Sequence, residues 1–500
     1  MLTENGRHVT STQGFITTRY SLRSMATSRS RVQAMGQRMA NWSEKWVPNP
    51  FLFAVLLTII AYIAANLATP DGPVENIRNW YGGFWTLLTF AMQMVLILVT
   101  GYAVADSDFV SGYLDRLASW PDNNAQAAAA TGVVGMIGGY FHWGVGLIVG
   151  AIFAIFVARA GHKRGKTFHY PLLAAAGYTS QVIWHVGPSS SAGLLSATDD
   201  HPFVDTIGIV PLSESVFTVY AFGLAVLVLV TVTITLYYLA PNEENATGIE
   251  EYAPSLLDDD EDLDALDEPT DPEPQADGGT AQVDPLDQVT PADRINDSRI
   301  IAYLIGLGMV VYIVDYLAQV GTIGEALDLN LFNFIFIALG LFLHKTPSAY
   351  MEAIRDATEG AAGIILQFPF YAGILGIISG SGLSALIAEG LLDIATPATF
   401  PVIAWLLGGV MNLFVPSGGG EWGIIGGIIG GAAIELGVSP GKAIIAYGTG
   451  DMWTNMFQPF WAIPLLGLTK VRARDILGYT MIILIVLTPV FAIGLYFLPY

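Results

Sequence analysis

Residues 411–430 read MNLFVPSGGGEWGIIGGIIG, a run apolar enough for a bilayer but broken at its centre by Pro416, Ser417 and three glycines. A carboxylate, Glu421, follows at once. Lipid cannot hydrogen-bond a frayed backbone, so such a break survives only where protein or a protected cavity surrounds it. A second break stands at matching depth in the first half, in VGMIGGYFHWGVGLIVG at 134–150. Paired broken segments in two halves of one chain point to the binding site of a secondary transporter.

The rest of the composition agrees with a membrane chain. Charged residues make up 13%, about half the roughly 25% of soluble proteins. Apolar runs at 51–69, 84–104, 215–240, 299–318, 326–343 and 476–498 approach the ~20 residues that cross a bilayer. The absence of cysteine excludes disulfides, thiolate nucleophiles and cysteine-bound metal. The net charge of −22 is concentrated in residues 243–297, which hold 19 acids and one arginine. That acidic, Pro- and Gly-rich stretch cannot bury enough apolar surface to fold alone. The expected organisation is therefore a basic, disordered cytoplasmic arm at 1–45, a first transmembrane repeat at 46–240, an acidic disordered cytoplasmic linker at 241–297 and a second transmembrane repeat at 298–500. The arm carries seven basic residues and two acids, with Met25 and Met35 as alternative starts. The acidic loop and the six lysines of the whole chain point to a halophilic source.

The positive-inside rule orients the spans. The basic arm and the loop with Arg159, Lys163, Arg164 and Lys166 belong inside, so residues 126–158 must enter and return on the same side. Those residues are too few for two spans, which need about 40. As one helix they would extend about 50 Å. A re-entrant hairpin turning near Gly138–Gly144 satisfies both limits. The same reasoning makes 398–435 a hairpin entering from outside. It puts the basic clusters at Lys345–Arg355 and Lys470–Arg474 inside and the C-terminus outside. The expected fold is an all-α polytopic membrane protein of the cell membrane. It has about nine spans plus two re-entrant hairpins in two inverted-topology repeats. Short matches between the halves keep one order: Gln93 with Gln367, His142-Trp143 with Glu421-Trp422, Tyr178 with Tyr447 and Trp184 with Trp453.

GFWTLLTFAMQMVLILVTG (83–101), HKTPSAYM (344–351), QFPFYAGI (367–374), VPSGGGEW (415–422) and MWTNMFQPFWAIP (452–464) resemble the short-chain fatty acid transporter family, the acetoacetate and butyrate uptake type. The resemblance covers residues 40–500 apart from the linker. It implies a place in the ion-transporter superfamily, whose members use two hairpins and inverted repeats. The basic arm and the long acidic insertion depart from the family pattern.

A carboxylate needs donors, and a helix N-terminus in a glycine-rich turn supplies them without a buried cation. Ser417, Gly418, Gly419 and Gly420 form such a turn, although the glycines could equally serve tight packing. In GTGDMWTNMFQPFW (448–461), Pro459 interrupts the helix. Thr449, Thr454, Asn455 and the freed carbonyls are hard oxygen ligands, so Thr449, Asp451, Thr454 and Asn455 form a candidate Na+ site. Asn455 and Gln458 are also candidate donors to the substrate. Asp451 is an ionisable group inside a span and a functional candidate by default. It could carry a proton or ligate sodium, with Glu421 as the alternative carrier. The first-half counterparts are His142, His185 and the polar stretch around Pro188, including Gln181, Ser189 and Ser190. His142 and Ser189 are candidate substrate contacts. Trp143, Trp184, Trp422, Trp453, Phe457, Phe460 and Trp461 could wall an apolar pocket for an acyl tail or serve packing alone.

These residues read together as cation symport of a short monocarboxylate by alternating access, with H+ or Na+ as coupling ion and no other cofactor. Rival readings are a dicarboxylate carrier, an anion channel and an enzyme. Dicarboxylates want a further cationic group, and the hairpins offer no lysine or arginine. HExxH is absent and Ser417 lacks the GxSxG elbow, so no enzyme is expected. The expected partners are a small carboxylate, the lipid bilayer and a second copy in a homodimer, with no nucleic acid.

Overall fold

A computed structural model describes residues 50–257, 290–413, 415–457 and 461–500. The basic arm, residues 258–289 of the acidic linker, and Gln458, Pro459 and Phe460 lie outside the described residues. Every regular element among the described residues is helical. Six helices are long and apolar enough to cross a bilayer, and shorter apolar helices accompany them.

Two hairpins and two broken helices form the centre. The first hairpin runs from Asn124–Phe141 into Trp143–Lys163, with only His142 between them in extended backbone (φ −158°, ψ 116°). The second runs from Phe400–Asn412 to Gly418–Glu435, and Ser417 opens its second arm in the same conformation (φ −159°, ψ 97°). Both hinge residues cap the helix that follows. His142 Nδ1 accepts from the Gly144 and Val145 N–H groups, and Ser417 Oγ accepts from the Gly420 N–H. Such caps satisfy donors that lipid would leave bare. The structural counterpart of His142 is therefore Ser417, about one helical turn before the Glu421 suggested by the local sequence match.

The first broken helix is Tyr170–Tyr178, two short 3-10 turns at Thr179–Val182 and Trp184–Val186, and a last piece at Ser191–Ala197. Its counterpart is Pro440–Thr454 followed by Ile463–Thr469. Neighbours recur between the repeats. Leu88–Ala105 packs on the second arm of hairpin one as Ala362–Gly380 packs on that of hairpin two. Val219–Leu239 and Ala473–Phe497 lie against the respective first arms. The repeats also exchange support: Pro50–Ala68 and Pro73–Gly83 pack on Ala362–Gly380, while Leu329–His344 packs on Leu88–Ala105. Small residues bring the helices close, as membrane packing requires. A Cβ on Gly450 would sit 2.0 Å from the Trp405 carbonyl oxygen, so only glycine fits there.

Two features differ from the sequence expectation. Asp108–Ala118, Pro347–Thr358 and Leu383–Ile394 are additional helices between spans. The start of the acidic segment is ordered rather than disordered. Ile249–Tyr252 is helical, and Ile249, Ala253 and Leu256 are buried. Tyr170 N donates to Thr247 O at 2.9 Å, Thr247 N donates to His169 Nδ1 at 3.0 Å, and Arg159 binds the Leu256 carbonyl. These apolar residues precede the dense acidic run, which is why this part docks.

Candidate functional site

Both hairpin tips and both broken helices meet at one buried cleft. The first repeat contributes Trp143, Gln181, Trp184 and Ser191. The second contributes Ser417, Gly418, Gly419 and Trp461, and Met94, Ile364 and Phe368 close an apolar side. The cleft is narrow: about 10 Å³ is open to the centre of a water molecule, room for about one. No lysine or arginine lines it. The first N–H groups of the Gly418–Glu435 helix have no intrahelical partner and face an N-terminal field of partial positive charge.

The polar turns of the first broken helix hold this cleft together. Ser189 Oγ accepts from the Trp143 N–H at 3.0 Å, and Gln181 Nε2 donates to the Trp143 carbonyl at 3.2 Å. Asn455 Nδ2 donates to Gln181 O at 3.4 Å, and Tyr178 OH donates to Asn455 O at 3.1 Å. Asn455 thus ties the two broken helices together.

Beside the cleft lies a buried ionisable cluster. His185 Nε2 stands 3.2 Å from Asp451 Oδ1, and both side chains are almost fully buried. His185 Nδ1 is 3.2 Å from Ser190 Oγ, and the imidazole lies against the Trp184 ring with centroids 3.6 Å apart. Glu421 and Asp451 are both buried in this cluster. Tyr447 OH donates to Glu421 Oε2 at 3.0 Å. Gly418 sits directly over His185: a Cβ there would be 2.2 Å from Nε2. The imidazole therefore stands between the tip of hairpin two and the carboxyl pair.

A second cluster gathers oxygens. Asn412 Nδ2 donates to Asp451 O (2.8 Å), Asn455 Oδ1 (2.9 Å) and Thr454 Oγ1 (3.0 Å). Three oxygens thus converge on one amide. Turned by half a rotation about its last torsion, Asn412 would add a fourth oxygen to them. Thr449 Oγ1 lies outside this group and donates to Ala446 O at 2.7 Å.

Of the residues expected from sequence, Ser417, Gly418 and Gly419 line the cleft, and Asp451 and Glu421 lie in the cluster beside it. Gly420 donates to the cap. Ser189 supports the cleft wall. His142 does not line the cleft; its ring packs against Phe336, with centroids 4.2 Å apart, and caps the first tip. Trp143, Trp184 and Trp461 line the cleft, but Trp422 binds Ser196 Oγ and Trp453 binds the Leu484 carbonyl elsewhere. Sequence reading missed Asn412 and Ser191 and did not link His185 to Asp451. Asn412 sits at the end of an apolar helix with no motif around it.

A family profile described as "Short chain fatty acid transporter" matches residues 31–498. The chain belongs to the short-chain fatty acid transporter family. Two similar relatives are each named "Putative short-chain fatty acid transporter". One, from Escherichia coli, is 36% identical over 457 residues, covering 91% of this chain and 98% of the relative. The other, from Haemophilus influenzae, is 36% identical over 475 residues, covering 93% and 100%. Among solved structures, the YdaH transporter of Alcanivorax borkumensis, whose report describes an unusual topology, aligns at TM-score 0.50. It is 16% identical, with 89% of this chain and 98% of that chain covered, a likeness of fold alone. Membership of the family makes this a helical membrane transporter.

Proposed function

We propose that this family member is a secondary active importer of short-chain monocarboxylates such as acetoacetate and butyrate at the plasma membrane. It takes up a cation with each substrate and works by alternating access. The basic arm and acidic segment face the cytoplasm and the C-terminus faces out. The observation that carries the reading is the single cleft between both hairpin tips and both broken helices, with an ionisable cluster one side chain away. The cleft offers donors without a fixed cation, which suits one carboxylate and leaves a second one unpaired. A second cation-bearing group balances the charge of the anion, so the loaded site crosses the membrane nearly neutral while the repeats rock around it.

The coupling ion has two candidate seats. A proton fits Glu421 or Asp451, the two buried carboxyls beside the cleft. His185 lies between that pair and the tip and links cation to substrate. A sodium ion fits the oxygens of Asp451, Thr454 and Asn455, with Asn412 turned to join them.

Counterflow in proteoliposomes tests the reading. Labelled acetoacetate and butyrate should exchange, and labelled succinate should not. Accumulation should follow an imposed pH gradient if the carboxyl pair couples, or a sodium gradient if the oxygen cluster does. Asp451→Asn should lose gradient-driven accumulation while keeping exchange. Faster counterflow of succinate than of butyrate would overturn the substrate class, and full accumulation by Asp451→Asn would overturn the coupling role.

A further inference from the structure

Three polar groups around the cleft have no hydrogen-bond partner among the described residues, although each is buried: Trp143 Nε1, Trp184 Nε1 and Ser191 Oγ. Their residues are 3%, 6% and 0% exposed, and all three line the same cleft. A buried donor without a partner costs stability, and native proteins keep only a few. Three gathered on one cavity point to an occupant there.

The chemistry of the three narrows what that occupant is. An indole N–H donates and never accepts. Two of the three groups therefore reject any cation and any group that only donates. The hydroxyl adds a third donor. A carboxylate is the complement, since its two oxygens accept several hydrogen bonds at once. The Trp143 and Trp184 rings lie 6.2 Å apart at 54°, and Trp461 stands 5.4 Å from Trp143 on the same wall. Trp143 is held at its backbone by Ser189 and Gln181, and the Trp184 ring lies tilted against His185. The donors are thus gathered at one place, and the cleft, with room for about one water, must widen to admit a carboxylate. Met94, Ile364 and Phe368 supply apolar surface for a short alkyl chain.

We infer that the substrate carboxylate is clasped by the indole N–H groups of Trp143 and Trp184 and the hydroxyl of Ser191. These tryptophans are thus polar recognition groups rather than a wall for the acyl tail. The inference rests on the cleft being the carboxylate site. It assigns selectivity for the acid over its neutral amide to three uncharged donors. Without an arginine the clasp holds an anion loosely enough to release it, as a carrier must. Because the Trp184 ring lies against His185, loading of the clasp reaches the ionisable cluster through one ring contact.

Butyrate binding to the purified full chain tests this. Trp143→Phe and Trp184→Phe keep a ring and remove the donor; Ser191→Ala removes the hydroxyl. Each should raise the butyrate Kd about tenfold or more, as losing a hydrogen bond to a charged group does. Each should leave the ligand-free unfolding midpoint unchanged or higher, because an unpaired buried donor is gone. Trp453→Phe, away from the cleft, should bind like the parent. A purely structural role predicts the opposite pattern: a lower ligand-free midpoint with unchanged Kd. A second measurement needs no substitution. In protein carrying 15N-labelled tryptophan, saturation with butyrate should move two indole N–H resonances downfield, and butyramide should not. If no indole resonance moves while butyrate binds, or if both Phe variants bind at the parental Kd, the clasp is refuted. If the parent binds none of butyrate, acetoacetate and succinate, the monocarboxylate reading falls first and the clasp with it.

Discussion

Gly418→Ala is the sharpest perturbation of the proposed working contact. The added methyl carbon would lie 2.2 Å from His185 Nε2 and 2.8 Å from the edge of Trp184. That is about 1.2 Å short of ordinary contact with the imidazole. His185 has no room to yield. Gly448 lies against its other side, where a Cβ would be 2.9 Å away, and the Trp184 ring covers its face. Either the hairpin tip lifts or the broken helix distorts. Overpacking of this kind costs about 1–3 kcal/mol. The cost falls on the conformation in which the tip touches His185, and a bias of that size shifts a two-state equilibrium roughly 5- to 150-fold. Uptake of labelled butyrate into proteoliposomes should fall at least fivefold, with the protein still folded and monodisperse in detergent. Gly423→Ala sits on the same helix, and its methyl would meet only the end of Leu87 at 3.3 Å. It should transport like the parent. Parental uptake by Gly418→Ala would show that the tip and His185 need not stay in contact.

Other outcomes follow from the same geometry. Asn412→Ala removes the donor to the buried Asn455 Oδ1 and should cost about 1–3 kcal/mol for the unsatisfied acceptor left behind; an unchanged thermal midpoint would contradict this. Burial holds the His169 imidazole at about 4, against about 6.5 for a free histidine. Since the docked ring is the harder one to protonate, docking of residues 245–257 is at full strength above about pH 6.5. It weakens as the pH falls toward 4, by at most about 3 kcal/mol. Hydrogen exchange of that segment, corrected for intrinsic rates, should be faster at pH 5 than at pH 7.5, and His169→Gln should abolish the difference. Deleting residues 258–289, which contain no candidate ligand, should leave uptake within about twofold of the parent, whereas extending the deletion to Leu256 should disturb the docked segment.

Charge and length made most of the architecture readable. The basic loop at 159–166 and the short stretch before it allow only a re-entrant hairpin. The Pro-Ser-Gly-Gly-Gly break locates the second tip within a residue or two of the observed Ser417 cap. The repeat match slipped by one turn because it followed the Trp143 and Trp422 side chains. The structural equivalence is set instead by backbone, an extended cap residue before a helix, and that position tolerates His in one half and Ser in the other. The buried pair of His185 and Asp451 was beyond reach, since its partners are far apart in sequence and meet only when the broken helices cross. Docking of Ile249 and Leu256 was hidden by the acidic run that follows them. The indole donors were read as apolar surface because composition records a ring and not which edge of it goes unpaired.

The two repeats share a backbone plan but divide the chemistry between them. The first supplies Trp143, Trp184, Ser191 and His185, which are donors or bases. The second supplies Glu421 and Asp451, which are acids, and the oxygens around Asn412. An inverted repeat gives the carrier two conformations of similar energy, and identical chemistry in both halves would add nothing to couple two cargoes. Division of labour does. In the proposed mechanism the anion clasp belongs mainly to one half and the cation seat to the other, and His185 lies at their border, 3.2 Å from Asp451 and tilted against Trp184. A cation on the second half would then stabilise an anion on the first through a separation of one imidazole, in surroundings where Coulomb attraction is screened far less than in water. Either cargo alone leaves an unbalanced buried charge, whose cost opposes movement of the hairpins. Under the proposed symport, tight coupling would follow from where the pseudo-symmetry is broken, and exchanging His185 for Gln should loosen it in both directions: substrate-free ion leak should rise as ion-driven accumulation falls.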